Sequence, residues 1–379
     1  MEKRRYQKTG ADISLLGFGC MRLPKVDPEK QDIDEQQAEK LIHYAYEQGV
    51  NYFDTAYMYH GGQSETFIGK ALRCYPRDSY YLADKMPVWM AKTKEDVPRI
   101  FERQLQKCGV DYFDFYLCHS LTKEHWKNLE EFGVYDYLME QKQAGRIRQL
   151  GFSFHDKPAL LEEIVQTHEW DFAQIQLNYL DWTMQDAKGQ YEVLERHGLP
   201  CIVMEPVRGG ALAELCPEAV ALLKEAEPER SVASWAIRFA ASLPNVMTVL
   251  SGMGAPQQLQ DNLQTMNPFV PLTQPDKALL ERACALYLKS KMVPCTACRY
   301  CMDCPSGVDI PLMFHIFNEF RQTEDKEAAR RAMEQAGEDK WAEHCIACGK
   351  CALHCPQHID IPKEMAEVAR WTKKWFPRG

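Results

Sequence analysis

The chain has no apolar run approaching the ~18 residues a bilayer-spanning helix needs. No apolar segment follows the basic cluster in its opening residues, MEKRR. A membrane span and a secretory signal are therefore not expected, and the cytoplasm is the expected location. Positive charge is in deficit: Lys and Arg number 45 against 54 Asp and Glu, a formal charge of −9. Such a balance gives no general attraction to nucleic acid or anionic lipid, so neither is an expected partner. Low-complexity tracts are also missing. With 45% apolar and 26% charged residues, the composition fits a globular protein and argues against a disordered or fibrous one. What the 379 residues hold in excess is cysteine: 15, eight of them between Cys295 and Cys355. In a chain expected in the cytoplasm, such dense and regular spacing reads as metal or cluster ligation rather than disulfide bonding.

Up to about residue 267 short apolar runs alternate with amphipathic stretches. The runs are SLLGFG (14–19), NYFDTA (51–56), YYLADKM (80–86), FDFYLCH (113–119), IRQLGFSFH (147–155), FAQIQLN (172–178), LPCIVMEP (199–206) and VMTVLSGM (246–253). Near-continuous apolar runs of this length suit strands buried on both faces. Helical patterns separate them, and the seventh connection is long enough for two helices. Eight strand–helix units in about 250 residues fit a closed (β/α)8 TIM barrel, with an open doubly wound sheet as the rival. GFGCMRL lacks the G-x-G-x-x-G spacing of a dinucleotide fingerprint, which counts against the open sheet. Beyond TMNPFVPLTQP the pattern changes, so the expected division is a barrel over 1–275 and a small α-helical domain over 276–379. Within the latter, the charged stretch 318–341 reads as helix.

Four polar residues fall at or just past consecutive strand ends: Asp54, Tyr59, Lys85 and His119. In a barrel, catalytic groups converge on that face. A Lys beside a Tyr favours phenolate and is expected to lower the phenol's pKa. An Asp would hold the Lys and compensate its charge. The Tyr could then protonate a carbonyl oxygen as hydride reaches the carbon, with the His donating to the same oxygen. Singly, each residue is more often a cap or a packed side chain, and the joint placement is what carries the reading.

GVNYFDTAYMYHGGQSETFIGKAL, YYLADKM, DYFDFYLCHS, LGFSFH and VLSGMGAPQQLQDNL together resemble the aldo-keto reductase family over about residues 5–270. The resemblance implies a (β/α)8 barrel and hydride transfer between NADPH or NADH and a small aldehyde or ketone. Its catalytic Asp, Tyr, Lys and His match Asp54, Tyr59, Lys85 and His119. It further implies that Ser153 and Phe154 reach the nicotinamide carboxamide, that Gln174 is a strand-six cofactor contact, and that Met204 packs on the ring. Arg208, Gly209 and Gly210 would lie near the pyrophosphate, and Gln258, Asp261 and Asn262 at the adenosine end. NADPH-preferring members carry cations where this chain has Gly252 and Gln258, so no strong NADPH preference is expected. Met21, Arg22, His60, Trp89 and Trp182 are candidate pocket residues, and none specifies a substrate class.

CTACRYCMDCP places Cys295, Cys298, Cys301 and Cys304 at 2-2-2 spacing before Pro305. CIACGKCALHCP places Cys345, Cys348, Cys351 and Cys355 at 2-2-3 spacing before Pro356. The second is the full bacterial ferredoxin run, although four cysteines in paired C-x-x-C motifs also bind structural zinc. Resemblance to two-cluster ferredoxins, whose fourth Cys crosses over, implies two [4Fe–4S] clusters. One would be held by Cys295, Cys298, Cys301 and Cys355, the other by Cys304, Cys345, Cys348 and Cys351. The whole is similar to the aldo-keto reductase subgroup with a C-terminal 4Fe–4S ferredoxin-type domain. Each cluster takes one electron while hydride carries two, and no flavin signature is present. The clusters are therefore expected either to serve a redox protein partner or to hold the domain together. An electron-transfer protein whose barrel only docks a partner is the alternative. Cys20, Cys74, Cys108, Cys118, Cys201, Cys216 and Cys284 are expected in the core.

Overall fold

The computed structural model describes residues 1–27, 30–302 and 304–376. Its contacts divide the chain into two units: residues 1–206 with 234–274, and residues 207–233 with 275–379. Among the described residues no helix is long and apolar enough to cross a membrane.

The first unit opens with an antiparallel hairpin, β1 (Lys3–Tyr6) and β2 (Ala11–Ser14). Eight strands follow: β3 (Leu16–Gly19), β4 (Tyr52–Asp54), β5 (Tyr81–Met86), β6 (Phe113–Leu121), β7 (Ile147–Phe154), β8 (Phe172–Gln176), β9 (Cys201–Met204) and β10 (Val246–Ser251). Each pairs in parallel with the next and β10 pairs with β3, closing the barrel. All eight apolar runs become its strands, and the open sheet is excluded. Strands buried on both faces explain the runs: β4, β8 and β10 have every residue buried.

Tyr52, Ala83, Phe115, Leu117, Phe172 and Ile202 join one apolar cluster with Tyr6 and Ile13 of the hairpin. The Tyr6 hydroxyl donates to the Asp171 carbonyl at 2.9 Å, which fixes the hairpin to the chain entering β8. The inward register follows from this layer. Because side chains alternate across a strand, residues two places beyond it face the same interior, nearer the C-terminal ends.

The second unit is built from helices. Met313, Phe314 and Phe317 of the helix Ile310–Thr323 pack with Met333 of Lys326–Ala336. Met365, Val368 and Trp371 of Ile361–Trp375 complete that core. The charged stretch 318–341 is not one helix. Glu324 takes a left-handed C-cap conformation, φ 54°, and the Asp325 side chain accepts from the Glu327 and Ala328 amides to start the next helix. The connection after β9 does contain two helices, Pro217–Ala226 and Val232–Ala241. Of the seven cysteines outside the two runs, five are buried as expected; Cys74 is exposed and Cys284 half-buried.

Candidate active site

The interior register delivers the polar residues. Asp54 stands two places after Tyr52 on β4, Lys85 two after Ala83 on β5, and His119 two after Leu117 on β6. Lys85 Nζ donates to Asp54 Oδ1 at 2.5 Å, to the Thr55 carbonyl at 2.7 Å and to the Tyr59 hydroxyl at 3.3 Å. That uses all three ammonium donors, as a cation only 1% exposed requires. The His119 ring meets the Tyr59 ring edge-on at 6.2 Å. Trp89 lies 5.1 Å from His119 and stacks on His125 at 5.3 Å, forming one wall beside them. The four sequence candidates are therefore neighbours at the C-terminal end of the barrel.

Electrostatics correct one expectation. The Tyr59 phenol is pushed well above its usual value, chiefly by burial, with the Asp54 and Glu205 carboxylates adding to the rise. Lys85 stands beside it but does not make it acidic. The hydroxyl consequently keeps its proton at neutral pH, which suits a proton donor more than a base. Burial likewise drives His119 well below the usual histidine range, and Lys85 reinforces the effect, so the imidazole is neutral. Its buried Nδ1 has no hydrogen-bond partner among the described residues. Burial raises the Asp54 carboxyl against the pull of Lys85.

Several supporting residues escaped the sequence reading. Gln104 donates to the Lys85 carbonyl at 3.0 Å and to Glu65 at 2.9 Å, bracing β5 from outside. Lys107 pairs with the same buried Glu65. Nothing in the sequence flags Gln104, since it lies 19 residues from its partner on a surface-patterned helix. His60, a candidate pocket residue, is instead structural. Its Nε2 accepts from the Leu23 amide at 3.2 Å, leaving Nδ1 protonated toward the Gln31 carbonyl at 3.3 Å. This anchors the loop that carries Tyr59. Trp182 packs on Tyr191 and Phe239. The Met21–Arg22 turn lies at the end of β3, and Arg22 pairs with Glu205 at 3.6 Å.

The cofactor candidates divide. Ser153, Gln174 and Met204 share the inward register, two places past Gly151, Phe172 and Ile202. Ser153 Oγ accepts the Ser120 amide at 2.7 Å, so its own proton remains available. Gln174 Nε2 reaches Met204 Sδ at 3.5 Å, while its buried Oε1 has no partner among the described residues. A buried orphan acceptor beside a hydroxyl fits a carboxamide, which offers both a donor and an acceptor. Phe154 has the opposite register. It turns outward to Phe152, which itself meets Trp170, and so does not face the same interior. Asn262 donates to Ser251 Oγ at 2.9 Å, Gln258 Oε1 accepts the Gly254 amide at 2.9 Å, and Asp261 is half-buried on the helix Pro256–Met266. Gly252 lies against the Arg22 stem, where a Cβ would come within 3.0 Å.

Arg208, Gly209 and Gly210 belong to the second unit. Arg208 is buried and donates to the Pro294 carbonyl and to Gln357 Oε1, both at 3.1 Å. A Cβ on Gly209 would sit 2.3 Å from the Thr296 carbonyl oxygen. The close approach that this glycine permits is to the cysteine-bearing chain.

In the second unit Cys295, Cys298, Cys301 and Cys355 line one cavity, together with Ile310, Phe314, Ile359 and Ile361. Burial and the three neighbouring thiols push the Cys301 thiol up. Four thiols gathered on one cavity suit a cationic centre that stabilises them as thiolates. Among the described residues no three His, Cys, Asp or Glu side chains are grouped to hold a single metal ion. Burial also raises Cys351, with Cys345 and Cys348 adding to it. A repeat overlooked in the sequence frames both sets: Cys304-Pro305 and Cys355-Pro356 each lead, five residues after the Cys, to Asp-Ile-Pro. Asp309 and Asp360 each cap a helix, accepting from the Leu312 and Lys363 amides.

Comparison with known proteins gives the class. The aldo/keto reductase family model matches residues 15–283 and a 4Fe-4S dicluster domain model matches residues 294–359. The chain belongs to the aldo/keto reductase family, an NAD(P)H-dependent oxidoreductase class, and carries a C-terminal ferredoxin-type domain. It is 25% identical over 326 residues to the NADH-specific methylglyoxal reductase of Escherichia coli, spanning 74% of this chain and 97% of that one. The aldo-keto reductase AKR11C1 from Bacillus halodurans, holo form, superposes with a TM-score of 0.62 at 26% identity, covering 75% and 96% of the two chains. An aldo-keto reductase from Klebsiella pneumoniae in complex with NADPH shares the fold, with a TM-score of 0.62 at 21% identity over 76% and 95%.

Proposed function

We propose that the barrel reduces the carbonyl of a small aldehyde or ketone, with Tyr59 as general acid. The observation that carries this reading is the three-way contact of Lys85 with Asp54, Thr55 and Tyr59 at the C-terminal strand ends. When bound, NADH or NADPH supplies hydride to the carbonyl carbon. Neutral His119 donates to the carbonyl oxygen and orients it. Tyr59 transfers its phenolic proton to that oxygen as negative charge develops there. Lys85 then stabilises the phenolate by direct contact, and Asp54 holds the ammonium in place. Because the resting phenol is held protonated, the residues favour reduction over alcohol oxidation at neutral pH. Ser153 and Gln174 would hold the carboxamide and Met204 the ring face. Without cations at positions 252 and 258, NADPH has no strong advantage. The E. coli relative's NADH specificity supports the same reading.

The second unit would hold two [4Fe–4S] clusters: Cys295, Cys298, Cys301 and Cys355 for one, Cys304, Cys345, Cys348 and Cys351 for the other. One-electron transfer is the chemistry such clusters supply, and a separate one-electron redox protein suits them better than hydride does.

The test is isotopic. The anaerobically purified chain is given NADH or NADPH deuterated at the hydride-donating carbon and a panel of aldehydes and ketones. Deuterium at the product carbinol carbon is expected. Electron flow to dyes or ferredoxin with no labelled alcohol from any carbonyl would replace this reading with a docking role for the barrel.

A further inference from the structure

The ladder between β4 and β5 stops at the pair Asp54–Ala83. One more bond follows, from the Thr55 amide to the Ala83 carbonyl at 2.9 Å. Alternate residues of a strand turn their backbone groups toward the same neighbour. The Lys85 amide and carbonyl therefore face the side that β4 has left. The Thr55 carbonyl, next in line for the Lys85 amide, accepts Lys85 Nζ instead. Two side chains outside the barrel take the vacated places. Asp84 Oδ1 accepts the Lys85 amide at 2.8 Å, and Gln104 Nε2 donates to the Lys85 carbonyl at 3.0 Å. The Gln104 amide is itself fixed: Nε2 also donates to Glu65 Oε1 at 2.9 Å, and Oε1 accepts the Tyr116 hydroxyl at 2.5 Å. Burial and the Glu65 carboxylate raise the Asp84 carboxyl well above its usual range, and it keeps its proton and bonds Glu65. Lys107 pairs with Glu65 in turn. Gly69, one turn after Glu65 on the helix Ser64–Leu72, admits this arrangement. A Cβ there would stand 2.0 Å from the carbonyl oxygen of Cys108, the last residue of the helix Asp96–Cys108 that carries Gln104 and Lys107.

We propose that Asp84 and Gln104 are positioning residues for Lys85, replacing the strand partner its peptide lacks and so holding the ammonium against Asp54 and Tyr59. This rests on the reductase reading of the barrel. A buried peptide left unpaired would move to find other partners. The ammonium sits at the end of a flexible stem, and a shift of the Lys85 backbone would carry it away from a phenol oxygen 3.3 Å distant. That contact matters most when the phenolate forms, so its loss falls on the transition state rather than on nucleotide binding. The protonated state of Asp84 adds a chemical constraint. An asparagine offers the same acceptor to the Lys85 amide and a donor to Glu65, whereas a leucine offers neither.

The experiment uses the anaerobic full-length holoprotein, the deuterated nucleotides and the carbonyl panel. No labelled alcohol from the wild type with any carbonyl refutes the reductase reading itself, and the proposal falls with it. Given wild-type turnover, Gln104→Met and Asp84→Leu each remove one of the two bonds to the Lys85 peptide with little change in side-chain size. In both, kcat is expected to fall about ten- to a hundredfold, while KM and the nucleotide dissociation constant stay at wild-type values. Asp84→Asn, the conservative variant, should restore the wild-type kcat. A wild-type kcat in Gln104→Met or Asp84→Leu overturns the proposal. So does a nucleotide affinity that falls along with kcat, or an Asp84→Asn as slow as Asp84→Leu. If one apolar variant does not fold, the other decides. If neither folds, hydrogen exchange of the Lys85 amide decides, measured in wild-type protein carrying isotope-labelled lysine. Protection up to global unfolding supports the bond to Asp84, and exchange as fast as at a frayed strand end overturns it.

Discussion

Lys85 Nζ lies 3.3 Å from the Tyr59 hydroxyl, yet that phenol titrates far above rather than below its ordinary value, because burial and the Asp54 and Glu205 carboxylates outweigh the ammonium. Proximity to a cation is thus not sufficient to make an acid strong. The contact becomes useful after the proton has left, when the phenolate and ammonium face each other.

The pH dependence follows with a definite sign. Tyr59 must be protonated to act, and its raised pKa keeps it so up to strongly alkaline pH. His119 acts neutral, and its lowered pKa keeps it neutral down to acidic pH. The kcat for carbonyl reduction is expected to be flat from about pH 6 to about pH 9, with no limb at about 6.5, the ordinary histidine value. A limb near 6.5 that His119→Gln abolishes would contradict the neutral imidazole.

Removing Lys85 strands Asp54 in a buried site, and breaking such a pair costs about 3–5 kcal/mol. Thermal or urea unfolding of Lys85→Met should show a loss in that range. The double variant Lys85→Met, Asp54→Leu should recover part of it while remaining inactive. A single variant as stable as wild type would mean the pair is solvated.

For the nucleotide, the dissociation constants of NADPH and NADH are expected to lie within about tenfold of each other, a difference of about 1.4 kcal/mol or less. Gln258→Arg should tighten NADPH selectively by adding a cation for the 2′-phosphate. Fluorescence titration of both nucleotides against wild type and variant checks this. An unchanged ratio would place the 2′-phosphate away from residue 258.

Much of this was readable from the sequence because parallel barrel strands are buried on both sides and so appear as unbroken apolar runs. The four polar strand-end residues stood out for the same reason: charge at the end of such a run needs an explanation. The hairpin was not legible. Only Tyr6, Ile13 and Ser14 of its eight residues are buried, and the rest are exposed or half-exposed. Phe154 was misplaced because a single register step separates the inner from the outer face. The contacts of Arg208 with Pro294 and Gln357 were not legible either, because those partners stand 86 and 149 residues away, a separation no local pattern reports. The direction of the Tyr59 shift depends on burial, which a strand-end position does not reveal.

The most direct test of the account compares Tyr59→Phe with wild type, measuring carbonyl reduction and nucleotide affinity in the same preparations. The account predicts that kcat falls by about 10²–10⁴, while NAD(P)H dissociation constants and cluster content stay at wild-type values. A variant that reduces carbonyls at an undiminished rate would show that the proton comes from elsewhere.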